Sequence, residues 1–274
     1  MKFPAFDEID DEKRFGGKSN QLGAARRFGL PVPPGVALEV DFVEAVAAGA
    51  SDARAALHAL NDSLGGGPFA VRSSAVGEDS MLASFAGQHA TVLNVCGGKA
   101  MVEAVTTVRE SGFSEAALSY RRKVGVTAPP RIGVAVQRMV PSECAGVLFS
   151  RNPMTGDDER VIEASWGLGE AVVAGLVTPD HYRVARDGRV IERTAGNKDL
   201  AIRPVKGGGT VEEEVEPHLH DVLCLDDRRL ARLHDLASQC EQFFGGQQDL
   251  EWAFVAEELY LLQRRAITTR PASR

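Results

Sequence analysis

The chain has 274 residues, of which 44% are hydrophobic and 25% charged, with a formal net charge of −7. This composition is typical of a soluble globular protein and allows one large domain or two compact lobes. The acidic balance argues against a nucleic-acid or anionic-membrane partner. Because no stretch approaches the 18 or so apolar residues of a membrane span and the first residues contain no apolar leader, the sequence predicts a cytoplasmic protein.

Four cysteines lie far apart in the sequence, at positions 96, 144, 224 and 240, and no two form a C-x-x-C pair. This spacing predicts free thiols in a reducing compartment and gives no indication of a zinc site.

The first half of the chain alternates helical and extended patterns. Leu22, Ala25 and Phe28 stand at helical spacing and predict a helix over 18–28. The prolines of the segment 30–35 fix a rigid turn. The other elements predicted here are a strand at 36–38, a helical stretch at 41–64 broken near Gly49, strands beginning at 69 and 92, and a helical stretch at 98–124.

Pro129-Pro130 marks a predicted boundary between lobes, so the sequence predicts an N-terminal lobe at 1–125, a C-terminal lobe at 126–270 and a tail at 271–274. Helices and strands are mixed without strict βαβ alternation, which favours an α+β fold over a doubly wound sheet. The elements predicted in this half are strands at 132–136, 145–150 and 160–164, a glycine-punctuated helical turn at 166–175, a hairpin around Asp187-Gly188, a mobile loop at 206–216, a helix at 226–244 and a closing hairpin at 249–263.

The stretch FAVRSSAVGEDSMLASFAGQ (69–88) runs from an apolar strand into Arg72 and then into small and acidic residues. This pattern predicts that Arg72 stands at the end of the strand, before a loop of small residues that an ordinary surface turn does not need. Upstream, the segment GGKS (16–19) looks like the end of a Walker A loop, but Glu12 stands where the first glycine of that motif belongs. A lysine at a helix N-terminus either contacts phosphate or simply caps the helix.

Two other patterns are excluded as sites. The segment GLGEAV (167–172) lacks the third glycine of a dinucleotide fingerprint, so helix–sheet packing explains its glycines better. The six histidines show no metal-ligand spacing, and no Ser/His/Asp arrangement can be argued.

The closing hairpin carries a candidate metal site. Leu250 and Trp252 flank Glu251, so alternation along the strand turns Glu251 away from the two large apolar side chains. The second strand ends in Gln263, followed by two arginines. A carboxylate and an amide oxygen on adjacent strands suit a hard cation beside a phosphate. The alternative is an edge hairpin whose polar side chains are solvated.

Together these stretches resemble one family. The segments GGKSNQLG, GLPVPPG, FAVRSSAVGEDSMLASFAGQ, QRMV, AGVLFSRNPMTG, VIEASWGLGEAVVAGLVTPDHY and DLEWAF…LYLLQRRAIT occur in the order found in the nucleotide-binding domain of phosphoenolpyruvate synthase, pyruvate phosphate dikinase and rifampicin phosphotransferase. The resemblance runs nearly end to end. It implies an ATP-grasp-like α+β fold with two lobes, and ATP and Mg²⁺ in the cleft between them.

The resemblance also implies roles for individual residues. By motif, Lys18 and Arg72 would contact phosphates, and Arg265 would stabilise the transferring phosphoryl group, so these three form the implied catalytic set. The other implied contacts are Gly87 and Thr91 in the phosphate-covering loop, Gln137 with the Met139–Val140 backbone at the adenine edge, and Glu251 and Gln263 as magnesium ligands.

Two departures from the family leave the acceptor open. The segment 39–68 looks shorter than in the full-length enzymes, and the sequence ends at Arg274, where the family continues into a domain with a phosphorylated histidine. None of the six histidines has that histidine's sequence context. Three hypotheses follow: an ATP·Mg-dependent phosphotransferase unit acting on a histidine of a separate domain or chain, a kinase for a small molecule, or a nucleotide-binding module without chemistry.

Overall fold

The computed structural model describes residues 3–77, 90–123 and 125–267, and their helices and strands form a mixed α+β fold, as predicted. The helices are α1 Glu12–Phe15, α2 Gly17–Arg27, α3 Val40–Ala47, α4 Ser51–Ser63, α5 Gly98–Ser111, α6 Glu115–Lys123, α7 Glu170–Val173 and α8 Asp227–Phe244, with 3₁₀ turns at Phe6–Glu8 and Pro217–Leu219. The strands are β1 Gly35–Leu38, β2 Phe69–Ala75, β3 Thr91–Val95, β4 Ile132–Arg138, β5 Cys144–Phe149, β6 Glu159–Trp166, β7 Asp180–Ala185, β8 Val190–Thr194, β9 Leu200–Pro204, β10 Thr210–Glu214, β11 Gln248–Val255 and β12 Glu258–Ala266.

The chain divides into two compact units that differ from the predicted lobes. Unit 1 comprises Met1–Gly29, Pro33–Met139 and Pro204–Thr210, and unit 2 comprises Leu30–Val32, Val140–Arg203 and Val211–Arg274. The main boundary between the two units therefore lies after residue 139, whereas the sequence predicted a boundary between lobes near residue 125. The reason is that β4 lies between β1 and β2 in one sheet, which binds it to unit 1.

Unit 1 contains a four-stranded antiparallel sheet in the order β1-β4-β2-β3. Helix α5 packs on β2, β3 and β4, and α3 and α4 pack against α5. Side chains that alternate along the strands and recur at helical spacing meet in one apolar cluster, which explains the burial. Its fully buried members include Leu38, Val43, Val46, Leu57, Val71, Met101, Val105, Val108, Val134 and Val136.

Unit 2 contains a six-stranded antiparallel sheet in the order β12-β11-β5-β6-β7-β8. The long helix α8 packs against β11. The Asp226 carboxylate caps this helix by accepting a hydrogen bond from the amide of Arg229 at 2.8 Å, which satisfies one of the amide groups left without an intrahelical partner. The predicted helix at 226–244 and the predicted hairpins around residues 187 and 257 are therefore confirmed.

A buried ionic network joins distant parts of unit 2. The Nζ atom of Lys198 donates to Oδ1 of Asp180 at 2.5 Å, and neither side chain is exposed to solvent. The same carboxylate accepts hydrogen bonds from the backbone amide of Gly196, from the backbone amide of Cys224 and from the hydroxyl of Tyr182. A buried carboxylate with this many donors is compensated for the loss of its hydration.

Two predicted local structures are wrong. Arg72 lies in the middle of β2 rather than at the end of a strand, because Ser73, Ser74 and Ala75 continue the ladder with β4. The predicted loop at 206–216 includes strand β10, which pairs with β9. Every residue of β10 is exposed, so its acidic side chains remain solvated and the strand shows no apolar alternation.

The four cysteines are free, as predicted. Burial raises the pKa of Cys144 and Cys240 to about 12, so both remain protonated thiols at neutral pH. Within the described ranges, no helix combines the length and the apolar character required to cross a membrane.

Candidate nucleotide site

The N-terminus of α2 is fixed against β2 within unit 1. The backbone amide of Ser19 donates to Oγ of Ser74 at 2.9 Å. Gly16 has a φ of +80°, and a Cβ atom at this position would lie 1.7 Å from the carbonyl oxygen of Ser74. Only glycine allows this approach, so the GGKS segment (16–19) is held beside the strand that carries Arg72.

Lys18 and Arg72 are both buried, each with 6% of its surface exposed. Lys18 lies in the first turn of α2, and Arg72 lies on β2 directly opposite Thr91 of β3. Both side chains take part in contacts within the protein, as expected of buried charged groups, which are rarely left without compensation. Helix N-termini also favour anions.

Gln137 lies on β4 and is 1% exposed. Its side-chain nitrogen Nε2 is buried and has no hydrogen-bond acceptor among the residues that the structure describes. An unsatisfied buried donor is costly, which makes this amide a candidate for a ligand contact. The backbone amide of Met139 donates to the carbonyl of Pro68 at 3.1 Å, so a ligand contact by the Met139 backbone would use its carbonyl oxygen.

Glu251 and Gln263 face each other across β11 and β12 in unit 2. Residues directly opposite in an antiparallel pair point to the same face of the sheet. Two residues further toward the open end of the hairpin, Asp249 pairs with Arg265. This second pair lies on the same face of the sheet. Gln263 is 4% exposed, and the other three side chains are half-buried. The hairpin therefore gathers two carboxylates, an amide and a guanidinium.

A β-bulge sets this arrangement. Glu251 pairs with Gln263, whereas the next residue, Trp252, pairs with Leu261, so Leu262 is an extra residue in β12. Leu261 and Gln263 would share a face in a regular strand. The bulge instead turns Leu261 to the face of the buried Trp252 and Gln263 to the face of Glu251.

The two consecutive arginines have different environments. Arg264 is 6% exposed, its guanidinium carbon lies 3.8 Å from the ring centroid of Phe244, and its Nη1 donates to Oε1 of Gln248 at 2.5 Å. Its side chain therefore packs at the end of α8. Arg265 lies on the opposite face, with Glu251 and Gln263. The geometry assigns Arg264 to packing and leaves Arg265 for the polar face.

Sequence reasoning missed three residues of these two clusters. Asp249 shares the face of Glu251, and the alternation of D-L-E in the sequence was the signal that could have found it. Glu163 lies on this face too, because Glu251 pairs with Val147 of β5 and Val147 pairs with Glu163 of β6. In unit 1, Ser74 was not recognised as the anchor of α2.

The remaining predicted residues take no defined part in these clusters. Val140 is half-buried in unit 2, and its carbonyl accepts from the amide of Ser142. Gly87 lies outside the described residues. Within the described ranges, no group of three or more His, Cys, Asp or Glu side chains could hold a metal ion alone. A magnesium ion here would take Glu251 and Gln263 together with phosphate and water oxygens, which is its usual ligand set in nucleotide sites.

Comparison with known proteins defines the class as AMP/ATP-binding domains. Residues 38–274 match the family described as "Pyruvate phosphate dikinase, AMP/ATP-binding domain". The chain belongs to this family, which confirms the resemblance read from the motifs.

Curated relatives support this assignment. A probable phosphoenolpyruvate synthase of Methanothermobacter thermautotrophicus is 42% identical over 202 residues, covering 73% of this chain and 29% of the relative. A rifampicin phosphotransferase of Bacillus cereus is 36% identical over 264 residues, covering 96% of this chain and 28% of the relative. A rifampicin phosphotransferase of a Streptomyces species is 42% identical over 203 residues, covering 73% of this chain and 23% of the relative. The chain thus spans about a quarter of the length of these relatives.

Proposed function

We propose that this chain binds ATP with Mg²⁺ in an ATP-grasp-like arrangement and transfers a phosphoryl group to a histidine on a separate domain or chain. The observation that carries the proposal is the cross-strand pairing of Glu251 with Gln263, with Arg265 on the same face. Membership of the AMP/ATP-binding family supports a nucleotide as the ligand. Relatives named as synthases and phosphotransferases support the reaction class.

The residues of unit 2 would act on the reacting phosphate. Glu251 and Gln263 would hold Mg²⁺ through their oxygens, and Asp249 would keep the guanidinium of Arg265 in place from the opposite strand. Arg265 would stabilise the negative charge that spreads over the transferring phosphoryl oxygens. A bound Mg²⁺ would neutralise phosphate charge. Positioning and charge neutralisation are what phosphoryl transfer requires from a protein.

The residues of unit 1 would bind the rest of the nucleotide. Lys18 and Arg72 would contact the phosphates, and Thr91 would lie on the strand facing Arg72. The buried Nε2 of Gln137, which has no acceptor among the described residues, fits a hydrogen bond to a ring nitrogen of adenine. The donors present therefore suit the group: two cations for the triphosphate and an amide for the base.

Product analysis tests the proposal against its alternatives. We expect incubation of the chain with labelled ATP, Mg²⁺ and cell extract to convert ATP and water into AMP, inorganic phosphate and a phosphorylated protein whose label is acid-labile, as phosphohistidine is. ADP with a labelled small molecule would indicate a kinase for a small acceptor instead. ATP that is bound but returned unchanged would indicate a nucleotide-binding module.

The proposed metal site predicts the effect of Glu251→Gln, which keeps the size of the side chain and removes its charge. We expect the magnesium concentration for half-maximal ATP consumption to rise roughly tenfold or more, since even indirect partners of a bound metal have effects of that size. The measurement is a magnesium titration at fixed ATP. Glu257→Gln, in the exposed turn of the same hairpin, is the matched control and should leave the curve unchanged. If both variants and the unmodified chain gave the same magnesium titration curve, Glu251 would not be a magnesium ligand.

A further inference from the structure

The turn between β9 and β10 is unusually rich in glycine. Its sequence is Val205-Lys206-Gly207-Gly208-Gly209, and all three glycines have positive φ angles, of +94°, +128° and +75°. The turn belongs to unit 1. Consecutive glycines are intrinsically mobile, so a defined conformation here requires external contacts.

Asn94 of β3 supplies those contacts. Its Nδ2 atom donates to the carbonyl of Val205 at 2.7 Å and to the carbonyl of Gly209 at 2.5 Å. The amide of Gly209 in turn donates to the backbone carbonyl of Asn94 at 3.0 Å. Asn94 is 4% exposed, whereas Val205 and Gly209 are exposed, so these hydrogen bonds are partly buried.

The backbone of Asn94 is adapted to this role. Its φ is +53°, in the left-handed region that few residues other than glycine and asparagine adopt. The register of β3 against β2 passes from Val95, opposite Phe69, to Val92, opposite Val71, so the segment contains a β-bulge. A bulge leaves a residue without its ladder partner, and here the carbonyl of Asn94 takes the amide of Gly209 instead.

Strand β3 needs such support because it is at the edge of its sheet, with β2 as its neighbour in the strand order. Its first residue, Thr91, lies opposite Arg72. We propose that the turn Val205–Gly209 is a clamp that grips the edge strand β3 through Asn94 and thereby positions Thr91 and Arg72 for the nucleotide phosphates. The part of this inference that concerns the positioning of Thr91 and Arg72 rests on the proposed function.

Three substitutions test the clamp from both of its sides. Asn94→Gly keeps the left-handed backbone available and removes both side-chain hydrogen bonds. Gly208→Ala acts from the turn, since its Cβ atom would lie 3.3 Å from the backbone carbonyl oxygen of Asn94. Gly207→Ala is the matched control: its φ is also positive, and a Cβ atom there would meet nothing within 4 Å. It strains the backbone of the turn without touching Asn94.

Amide hydrogen exchange of the full chain without nucleotide measures the clamp directly. We expect exchange at 91–95 and 205–209 to become roughly tenfold faster or more in Asn94→Gly and Gly208→Ala, because each hydrogen bond lost contributes about a fivefold factor. Gly207→Ala should leave 91–95 unchanged. Unchanged exchange in Asn94→Gly, or equal effects of both glycine variants, would overturn the clamp.

Kinetics of the same variants measures positioning. We expect KM for ATP to rise several-fold in Asn94→Gly and Gly208→Ala while kcat changes by less than about twofold, because the reacting residues of unit 2 are unaltered. Faster exchange with an unchanged KM would overturn the positioning role. A wild-type chain that consumes no ATP would overturn the proposed function, and the exchange measurement would still decide whether the clamp exists.

Discussion

We expect Arg265→Ala to lower ATP consumption by roughly 10³-fold or more while the chain stays folded. An arginine that stabilises a transferring phosphoryl group typically contributes a factor of this size. The side chain is half-buried on the polar face of β12, opposite Asp249, so its removal leaves no cavity in the apolar core. The measurement is consumption of labelled ATP with Mg²⁺ and cell extract, alongside circular dichroism of the variant.

Two further variants sharpen this test. Arg265→Lys keeps the positive charge and loses the planar fork, so we expect only partial recovery. Arg228→Ala, which removes an exposed arginine paired with Glu257 in the same unit, should retain full activity. Near-normal ATP consumption by Arg265→Ala would contradict the proposed role of this arginine.

The second large effect concerns stability. We expect Lys198→Met to lower the free energy of unfolding by about 3–5 kcal/mol, since removing one partner of a buried ion pair leaves the other charge without compensation. Asp180 would then be a fully buried carboxylate without its cation. Denaturant unfolding followed by tryptophan fluorescence measures the change, because Trp252 is buried in the same unit.

A surface pair provides the comparison. Lys99 and Glu103 lie 3.8 Å apart on α5 and are largely exposed, so Lys99→Met should cost less than about 1 kcal/mol. The double variant Lys198→Met with Asp180→Asn should be more stable than Lys198→Met alone, because it removes the orphaned charge. If Lys198→Met and Lys99→Met had equal effects, the buried pair would not be a major contribution to the stability of unit 2.

The sequence predicts most of the secondary structure because apolar periodicity and turn residues act locally. The helix at 18–28, the break near Gly49 and the closing hairpin around residue 257 all depend on such local signals. Strand β2 was read as too short, since Ser73 and Ser74 resemble a loop until β4 provides their hydrogen-bond partners. Strand β10 was not predicted because an exposed strand needs no apolar alternation, so its sequence carries no strand pattern.

The long-range contacts could not be predicted from the sequence. Lys198 pairs with a carboxylate 18 residues away, and no local pattern connects the two. Asn94 contacts a turn more than 100 positions downstream, and nothing in its neighbourhood marks it as an anchor. The candidate residues Lys18, Arg72, Glu251 and Gln263 were found through motifs. Glu163 required the strand registers, and Ser74 required its hydrogen bond to the amide of Ser19.

The bulge at Leu262 has a consequence for comparing this chain with its relatives. If the ladder continued regularly from the turn, Leu262 would stand opposite Glu251, and Arg264 would replace Arg265 on the polar face. A relative without the extra residue would therefore keep equivalent chemistry with one position fewer between the turn and the amide. Alignments in this region should be anchored on the amide that faces the acid and on the arginine two places after it, and the gap placed before both.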